Sequence, residues 1–239
     1  MMQAEFWQHA WKNGNTGFTQ SKPNYMLVNY FEVLNTPKQG RVFVPLCGKS
    51  PDIIWFAEQG YEVVGIDLVE RAVVDFFAER GIEATITPHP TTPNLTCYQA
   101  EHNGCDIQLW VGDIFDLTPA DIGKVDSIYD RGALVALPDF EPDCLRTRYT
   151  QQLIHLSGGA NQLLLTFAYD DEYLEDELQR VRPPFIITEA MLDDYYAKHY
   201  DINMIVRQKN DVVSTAGNSG YRLAYTLIAK SSQHHASYS

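Results

Sequence analysis

The sequence predicts an α/β fold, a mostly parallel sheet layered between helices, and three observations predict it. Short apolar runs alternate with helical segments from position 41 to position 168. The first two runs, Val42-Phe43-Val44 and Val63-Val64-Gly65-Ile66, enclose a helix and form a βαβ unit whose second strand ends on Asp67. Two later runs, 202–208 and 221–229, are joined by a stretch carrying Gly217-Asn218 and Ser219-Gly220 turn signals, which suits an antiparallel closing pair.

Taken in chain order, 5–12 reads as a helix with Trp7 and Trp11 on one face, four positions apart. Spacing alone assigns such a pair to packing. A second helical stretch covers 25–34. The first strand, 42–44, runs into Pro45-Leu46-Cys47-Gly48-Lys49-Ser50, and a helix over 52–59 follows, starting near Ser50 or Pro51 because proline is tolerated in a first helical turn. Strand 63–66, helix 69–80 and strand 107–111 come next, the last ending in Gly112-Asp113-Ile114. Strand 125–129 leads into Asp130-Arg131-Gly132, and helix 142–156 into strand 163–168. The charged stretch 172–182 is stopped by Pro183-Pro184, a helix covers 189–197, and the closing pair completes a single domain over 1–230 with a polar, mobile tail at 231–239.

The turn after the first strand narrows the ligand. Asp67 lies about twenty positions after Gly48, the spacing of a ribose-binding carboxylate. Gly48 lets backbone approach a ligand, and a helix start at that edge presents unpaired N–H groups. A dinucleotide turn needs three glycines where this chain has only Gly48, which disfavours NAD. A P-loop needs a further glycine where Phe43 stands, which disfavours ATP and GTP hydrolysis. A cofactor with ribose and adenine but no phosphate, such as S-adenosylmethionine, meets the description. Asp113 at its strand end is placed to accept from the adenine amine, and the Ile114 N–H to donate to a ring nitrogen. Asp113 can equally cap its own turn.

Composition excludes other classes. Lys and Arg total 18 against 31 Asp and Glu, a formal charge of −13, which repels phosphate backbones and argues against nucleic acid. No apolar run reaches membrane-span length and the N-terminus lacks a signal-peptide layout, so a cytoplasmic, membrane-independent protein is expected. Four cysteines form no Cys-x-x-Cys pair and imply no disulfides; seven histidines show no zinc spacing, so no metal is expected. The acidic surface favours a monomer.

Val44-Pro45-Leu46-Cys47-Gly48-Lys49-Ser50, Val63-Val64-Gly65-Ile66-Asp67, Ile114-Phe115-Asp116-Leu117 and Tyr129-Asp130-Arg131-Gly132-Ala133-Leu134-Val135-Ala136 together resemble the bacterial type of the thiopurine S-methyltransferase family, over roughly 5–230. The resemblance implies a class I methyltransferase fold: a Rossmann-like three-layer sandwich with a mostly parallel seven-stranded sheet and an antiparallel last strand. It implies S-adenosylmethionine as donor, S-adenosylhomocysteine as product, and a small-molecule acceptor bearing sulfur, selenium or tellurium.

By the same resemblance, Trp11 lines the donor site, Leu46 meets the donor through its backbone, and Phe18 packs near donor or acceptor. Asp67 stands where the family usually carries Glu, a change that bears on affinity more than on chemistry. Arg131, beside the donor's methionine moiety and the acceptor, is expected to stabilise an anionic acceptor, since a nearby opposite charge favours the ionised form. Asp130 is expected to take the thiol proton through water; its alternative is an internal ion pair or a surface charge. Cys47 reads as packing and Lys49 as a solvated or carbonyl-bonding chain. The 172–185 stretch departs from the family and is expected to cover the acceptor pocket. Three rival readings remain: a halide or thiocyanate methyltransferase, a nucleotide-dependent oxidoreductase, and a non-catalytic S-adenosylmethionine sensor.

Overall fold

Arg41–Pro45 (β1) and Glu62–Asp67 (β2) are buried beyond their first residues, as strands must be when helices cover both faces of a parallel sheet. The computed structural model describes residues 2–170, 173, 178, 181–210 and 220–231. The remaining strands are Thr85–Pro88 (β3), Thr96–His102 (β4), Cys105–Val111 (β5), Ser127–Arg131 (β6), Asn161–Tyr169 (β7), Tyr200–Asn210 (β8) and Gly220–Ala229 (β9). Helices are Met2–Lys12 (α1), Tyr25–Tyr30 (α2), Pro51–Glu58 (α3), Glu70–Ala78 (α4), Pro119–Ile122 (α5), Leu145–Ser157 (α6) and Glu189–Tyr196 (α7). Single 3-10 turns occupy Phe31–Leu34, Ile114–Asp116 and Leu134–Ala136.

Among the described residues the sheet has nine strands, in the order β3-β4-β5-β2-β1-β6-β7-β9-β8. β5, β2, β1, β6 and β7 run parallel, while β9 is antiparallel to both β7 and β8. The closing pair is therefore as expected, but the strand total corrects the expected seven. The addition is β3 and β4, an antiparallel extension of β5. β3 is exposed throughout and ends on Pro88, which an edge strand tolerates because no partner needs its N–H. Asn103-Gly104, at φ 53° and 78° between the paired His102 and Cys105, is the two-residue hairpin turn that marks the extension.

Strand alternation builds the layers. In β1, Phe43 packs with Ile122, Tyr149 and Leu153 of α5 and α6, whereas Val42 and Val44 pack with Leu27, Ile53 and Phe76 of α2, α3 and α4. Each central strand thus feeds two cores, and helices segregate to either face. Parallel register then aligns strand ends: Pro45 pairs with Ile66, and Asp67 with Val111. β1 sits between β2 and β6, where strand order reverses, so the turns after β1, β2, β5 and β6 gather at one edge, the usual ligand site of an open α/β sheet. The expected strand 125–129 lies two residues later, which puts Asp130 and Arg131 inside β6. The expected turn signals at 217–220, apart from Gly220, fall outside the described residues, as do 172, 174–177 and 179–180 of the charged stretch and 232–239 of the tail.

Candidate active site

After β1 the chain turns sharply, with Leu46 at φ 45° and Gly48 at φ 55°. Cys47 N–H donates to the Ile66 carbonyl at 2.9 Å, and Ser50 then caps α3 by accepting from Asp52 N–H at 3.2 Å, with Pro51 in the first turn. The turn is tied to β2 by one side chain. Asp67 accepts from Gly48 N–H at 2.8 Å through Oδ2 and from Val69 N–H at 2.9 Å through Oδ1. Burial pushes its carboxyl up to about 6, against the lowering effect of these two bonds.

Gly48 faces Trp11: a Cβ there would lie 3.5 Å from the indole. Trp11 is buried against Val69 and Ala72 of the β2–α4 corner. Phe18 contacts Trp11 edge-on at 5.7 Å and Trp7 at 5.4 Å, and is itself half-exposed. The N-terminal segment therefore forms an aromatic roof over the β1 turn.

On the far side of β2, Asp113 accepts from Phe115 N–H at 3.0 Å and caps the 3-10 turn that begins at Ile114. From β6, Arg131 Nε meets Asp52 Oδ2 at 3.0 Å. Asp52 is fully buried and also accepts from Asn24 N–H at 2.7 Å and the Tyr129 hydroxyl at 3.0 Å.

One cleft of about 1140 Å³ opens at this strand edge. Trp11, Phe18, Leu46 and Gly48 line it from the roof and the β1 turn; Asp67, Asp113, Ile114 and Arg131 line it from the ends of β2, β5 and β6. Asp130 does not. Its side chain is fully buried on the opposite side of β6, where it accepts from the Tyr149 hydroxyl at 2.7 Å and from Ala133 and Leu134 N–H. The geometry corrects the expectation of a proton acceptor for the thiol: with side chains alternating along a strand, Arg131 faces the cleft and Asp130 the core. Burial raises the Asp130 carboxyl to about 6, partly offset by Tyr149 and the two N–H groups.

Cys47 is buried, and burial together with the Asp67 charge pushes its thiol well above the usual range, which suits packing and not nucleophilic attack. Lys49 pairs with Glu79 and Asp75. No cluster of metal-ligating side chains occurs among the described residues, and no described helix is long and apolar enough to cross a membrane. Arg182, Pro183 and Pro184, at the end of the charged stretch, do line the cleft.

Sequence reading missed Asp52, Arg148 and the cleft-facing position of Trp7, whereas Arg182 lies in the stretch expected to cover the acceptor pocket. Arg148 lies in α6 with its guanidinium 4.3 Å from the Phe115 ring centroid. An acid in a first helical turn and a base within a helix look like ordinary helix charges, so only tertiary placement distinguishes them.

A model of the thiopurine S-methyltransferase family matches residues 2–226. A thiopurine S-methyltransferase of Psychrobacter cryohalolentis is 47% identical over 201 residues, covering 84% of this chain and 87% of that protein. Its counterpart in Acinetobacter baylyi is 36% identical over 96% of this chain and 100% of that one. Among solved structures, the 1,6-didemethyltoxoflavin-N1-methyltransferase of Burkholderia thailandensis, crystallised with 1,6-didemethyltoxoflavin and S-adenosylhomocysteine, is similar with a TM-score of 0.60 at 16% identity, covering 96% of this chain and 88% of that one. At that identity the likeness speaks for the fold alone, which is the class I methyltransferase fold.

Proposed function

We propose, from the premise that the chain belongs to the thiopurine S-methyltransferase family, that it transfers a methyl group from S-adenosylmethionine to the sulfur, selenium or tellurium of a small-molecule acceptor. The observation that carries this reading is the convergence of Gly48, Asp67 and Arg131 from three strand ends on one cleft. At about 1140 Å³ that cleft exceeds the roughly 300–1,000 Å³ typical of a site for one small ligand, which suits two reactants held together.

The residues present fit the donor. Gly48 leaves its backbone open beside the Trp11 indole, and the Asp67 carboxylate keeps free lone pairs for ribose hydroxyls after its two backbone bonds. Leu46 meets the donor through its backbone, and Asp113 and Ile114 take the adenine edge. S-adenosylmethionine supplies a methyl group already activated by the sulfonium and leaves as S-adenosylhomocysteine. The chain's own task is alignment and exclusion of water, and well-oriented reactants reach effective molarities of about 10⁵–10⁸ M.

Phe18 and Arg131 serve the acceptor, Phe18 by stacking and Arg131 by N–H contacts that favour its anionic form. Arg148 and Arg182 line the same cleft, among acids that include Asp67, Asp113 and Asp143, and give an anionic acceptor further guanidinium groups to meet. A thiol already ionised at neutral pH needs no strong protein base, in keeping with the core-facing Asp130. The four free cysteines suit a reducing compartment, and the reading is of a cytoplasmic monomer.

The test is S-adenosylhomocysteine release from S-adenosylmethionine with a panel of a thiopurine, aromatic and aliphatic thiols, selenite, iodide and thiocyanate. Turnover with thiols or selenium species is expected. Turnover with iodide or thiocyanate alone would transfer the chain to the halide class. Donor binding without turnover of any acceptor would favour a sensor.

A further inference from the structure

We propose that Asp52 is the positioning residue of the acceptor side of the cleft, acting through Arg131. The inference rests on the functional reading above and adds to it the group that sets the orientation of its arginine.

The argument starts from burial. Asp52 lies in the first turn of α3, where an acid is ordinarily solvated and favoured by the helix dipole, yet it is fully buried. A carboxylate gives up water only where other donors replace it. Here the donors come from separate elements: Asn24 N–H at the start of α2 meets Oδ1 at 2.7 Å and the Tyr129 hydroxyl of β6 meets Oδ2 at 3.0 Å, while Arg131 Nε, also from β6, forms an ion pair with Oδ2 at 3.0 Å. Tyr129 and Arg131 stand two apart on β6 and so share one face of the sheet, the face that α3 covers. One oxygen atom thus gathers the hydroxyl and the guanidinium, and the α3 start is locked to the end of β6.

The second step concerns geometry at the guanidinium. The Arg131 side chain is only partly exposed, and its ion pair with Asp52 at Nε together with the bond that Nη2 donates to the Ser50 hydroxyl restricts the group. The Ser50 hydroxyl, 3.5 Å from Nη2, borders it on the side of the β1 turn, and Ser50 also receives the Asp52 N–H. The remaining N–H groups are left for the cleft. Because the Asp52 carboxylate balances the charge, Arg131 acts on the acceptor through aimed N–H bonds held in place before ligand arrives, the arrangement that preorganised catalysis requires. The donor turn has its own anchor in Asp67, which touches none of these groups, so loss of Asp52 separates the two halves of the site.

The experiment is a double-mutant cycle in the full chain with Asp52→Asn, Arg131→Met and their combination. Thiophenol and 6-mercaptopurine serve as acceptors, and S-adenosylhomocysteine titration reads the donor site. Asn keeps an acceptor for Asn24 but turns a donor toward Arg131 or Tyr129. Expected for Asp52→Asn is a loss of about 10- to 100-fold in kcat/KM toward the acceptor, with S-adenosylhomocysteine affinity within about threefold of wild type. Arg131→Met is expected to lose more, and the double variant no more than Arg131→Met alone. Additive losses, or equal losses of donor affinity and turnover, would make Asp52 a merely structural residue. Wild-type kcat/KM in Asp52→Asn alongside a crippled Arg131→Met overturns this inference alone. Wild-type turnover in Arg131→Met instead removes the arginine from the functional reading. Should Asp52→Asn not fold, Tyr129→Phe replaces it in the cycle: a loss seen with Arg131 present and absent in Arg131→Met supports the proposal, and an equal loss in both backgrounds overturns it.

Discussion

Asp67 does two things whose pH dependences run in opposite directions. Its burial raises the carboxyl from 3.8 to about 6, so the folded chain takes up a proton that the unfolded chain releases. That contribution to stability is present below pH 3.8 and lost as pH rises through about 6, amounting to about 3 kcal/mol. On the proposed reading, only the ionised form keeps a lone pair on each oxygen for ribose hydroxyls beside the two backbone bonds. Affinity for S-adenosylhomocysteine is then expected to weaken about tenfold per pH unit below pH 6, and Asp67→Asn to bind weakly but without that slope. Calorimetric titration between pH 5 and 8 reads both, and a wild-type affinity unchanged across the range would remove Asp67 from the ribose site. Asp130, also raised to about 6 by burial, has the stability sign of Asp67 but no ligand to oppose it. In Asp130→Asn the amide oxygen still accepts from Ala133 and Leu134, and its NH₂ can donate to the Tyr149 oxygen. Urea melts are therefore expected to show the loss of stability between pH 5 and 7.5 reduced by about 1.4 kcal/mol, with turnover kept within about tenfold. A loss of turnover above a hundredfold would return Asp130 to the mechanism.

Elements were legible where local chemistry and periodicity agreed. The βαβ unit could be read because Ser50 and Pro51 start a helix, Gly48 permits the turn, and the strands on either side are continuously apolar. The β3–β4 extension escaped because Thr85-Ile86-Thr87-Pro88 is short and solvent-facing, so its identity as a strand depends on pairing with β4 and not on an apolar face. Glycines separate the same two kinds of information. Gly48 holds a left-handed φ where a Cβ would make only ordinary van der Waals contact with Trp11, so Gly48→Ala is expected to cost about 1–2 kcal/mol and to weaken donor binding. Gly112 has φ 145°, and a Cβ there would come within 2.5 Å of Leu95 and 2.6 Å of the Asn94 carbonyl. Backbone cannot yield as a flexible side chain does, so Gly112→Ala is expected to cost about 3 kcal/mol or more. Urea midpoints compare the two variants, and equal destabilisation would show that φ and not crowding sets the cost at this edge.

Over the whole molecule, the sheet brings Asp67, Asp113 and Arg131 to a common edge, and that much follows from parallel strands of known order. What joins Asp52 to Arg131, or sets Arg148 over Phe115, is packing between elements far apart in the chain, for which the sequence carries no local signal. Charge is the property most readable from composition and least tied to any one contact. With 31 acids against 18 Lys and Arg, folding gathers like charges at a formal −13. Arg41 relieves part of this by meeting Glu62 at 3.1 Å and Asp106 at 3.4 Å, ion pairs that salt would weaken. The long-range repulsion is spread over the surface, whereas such pairs are few and partly buried. Shortening the Debye length from about 30 Å at 0.01 M to about 8 Å at 0.15 M salt should therefore relieve more repulsion than it removes attraction. Thermal melts are expected to shift upward by a few degrees over that range of sodium chloride, with the same shift in potassium chloride. A downward shift would mean that local pairs such as those of Arg41 outweigh the net charge.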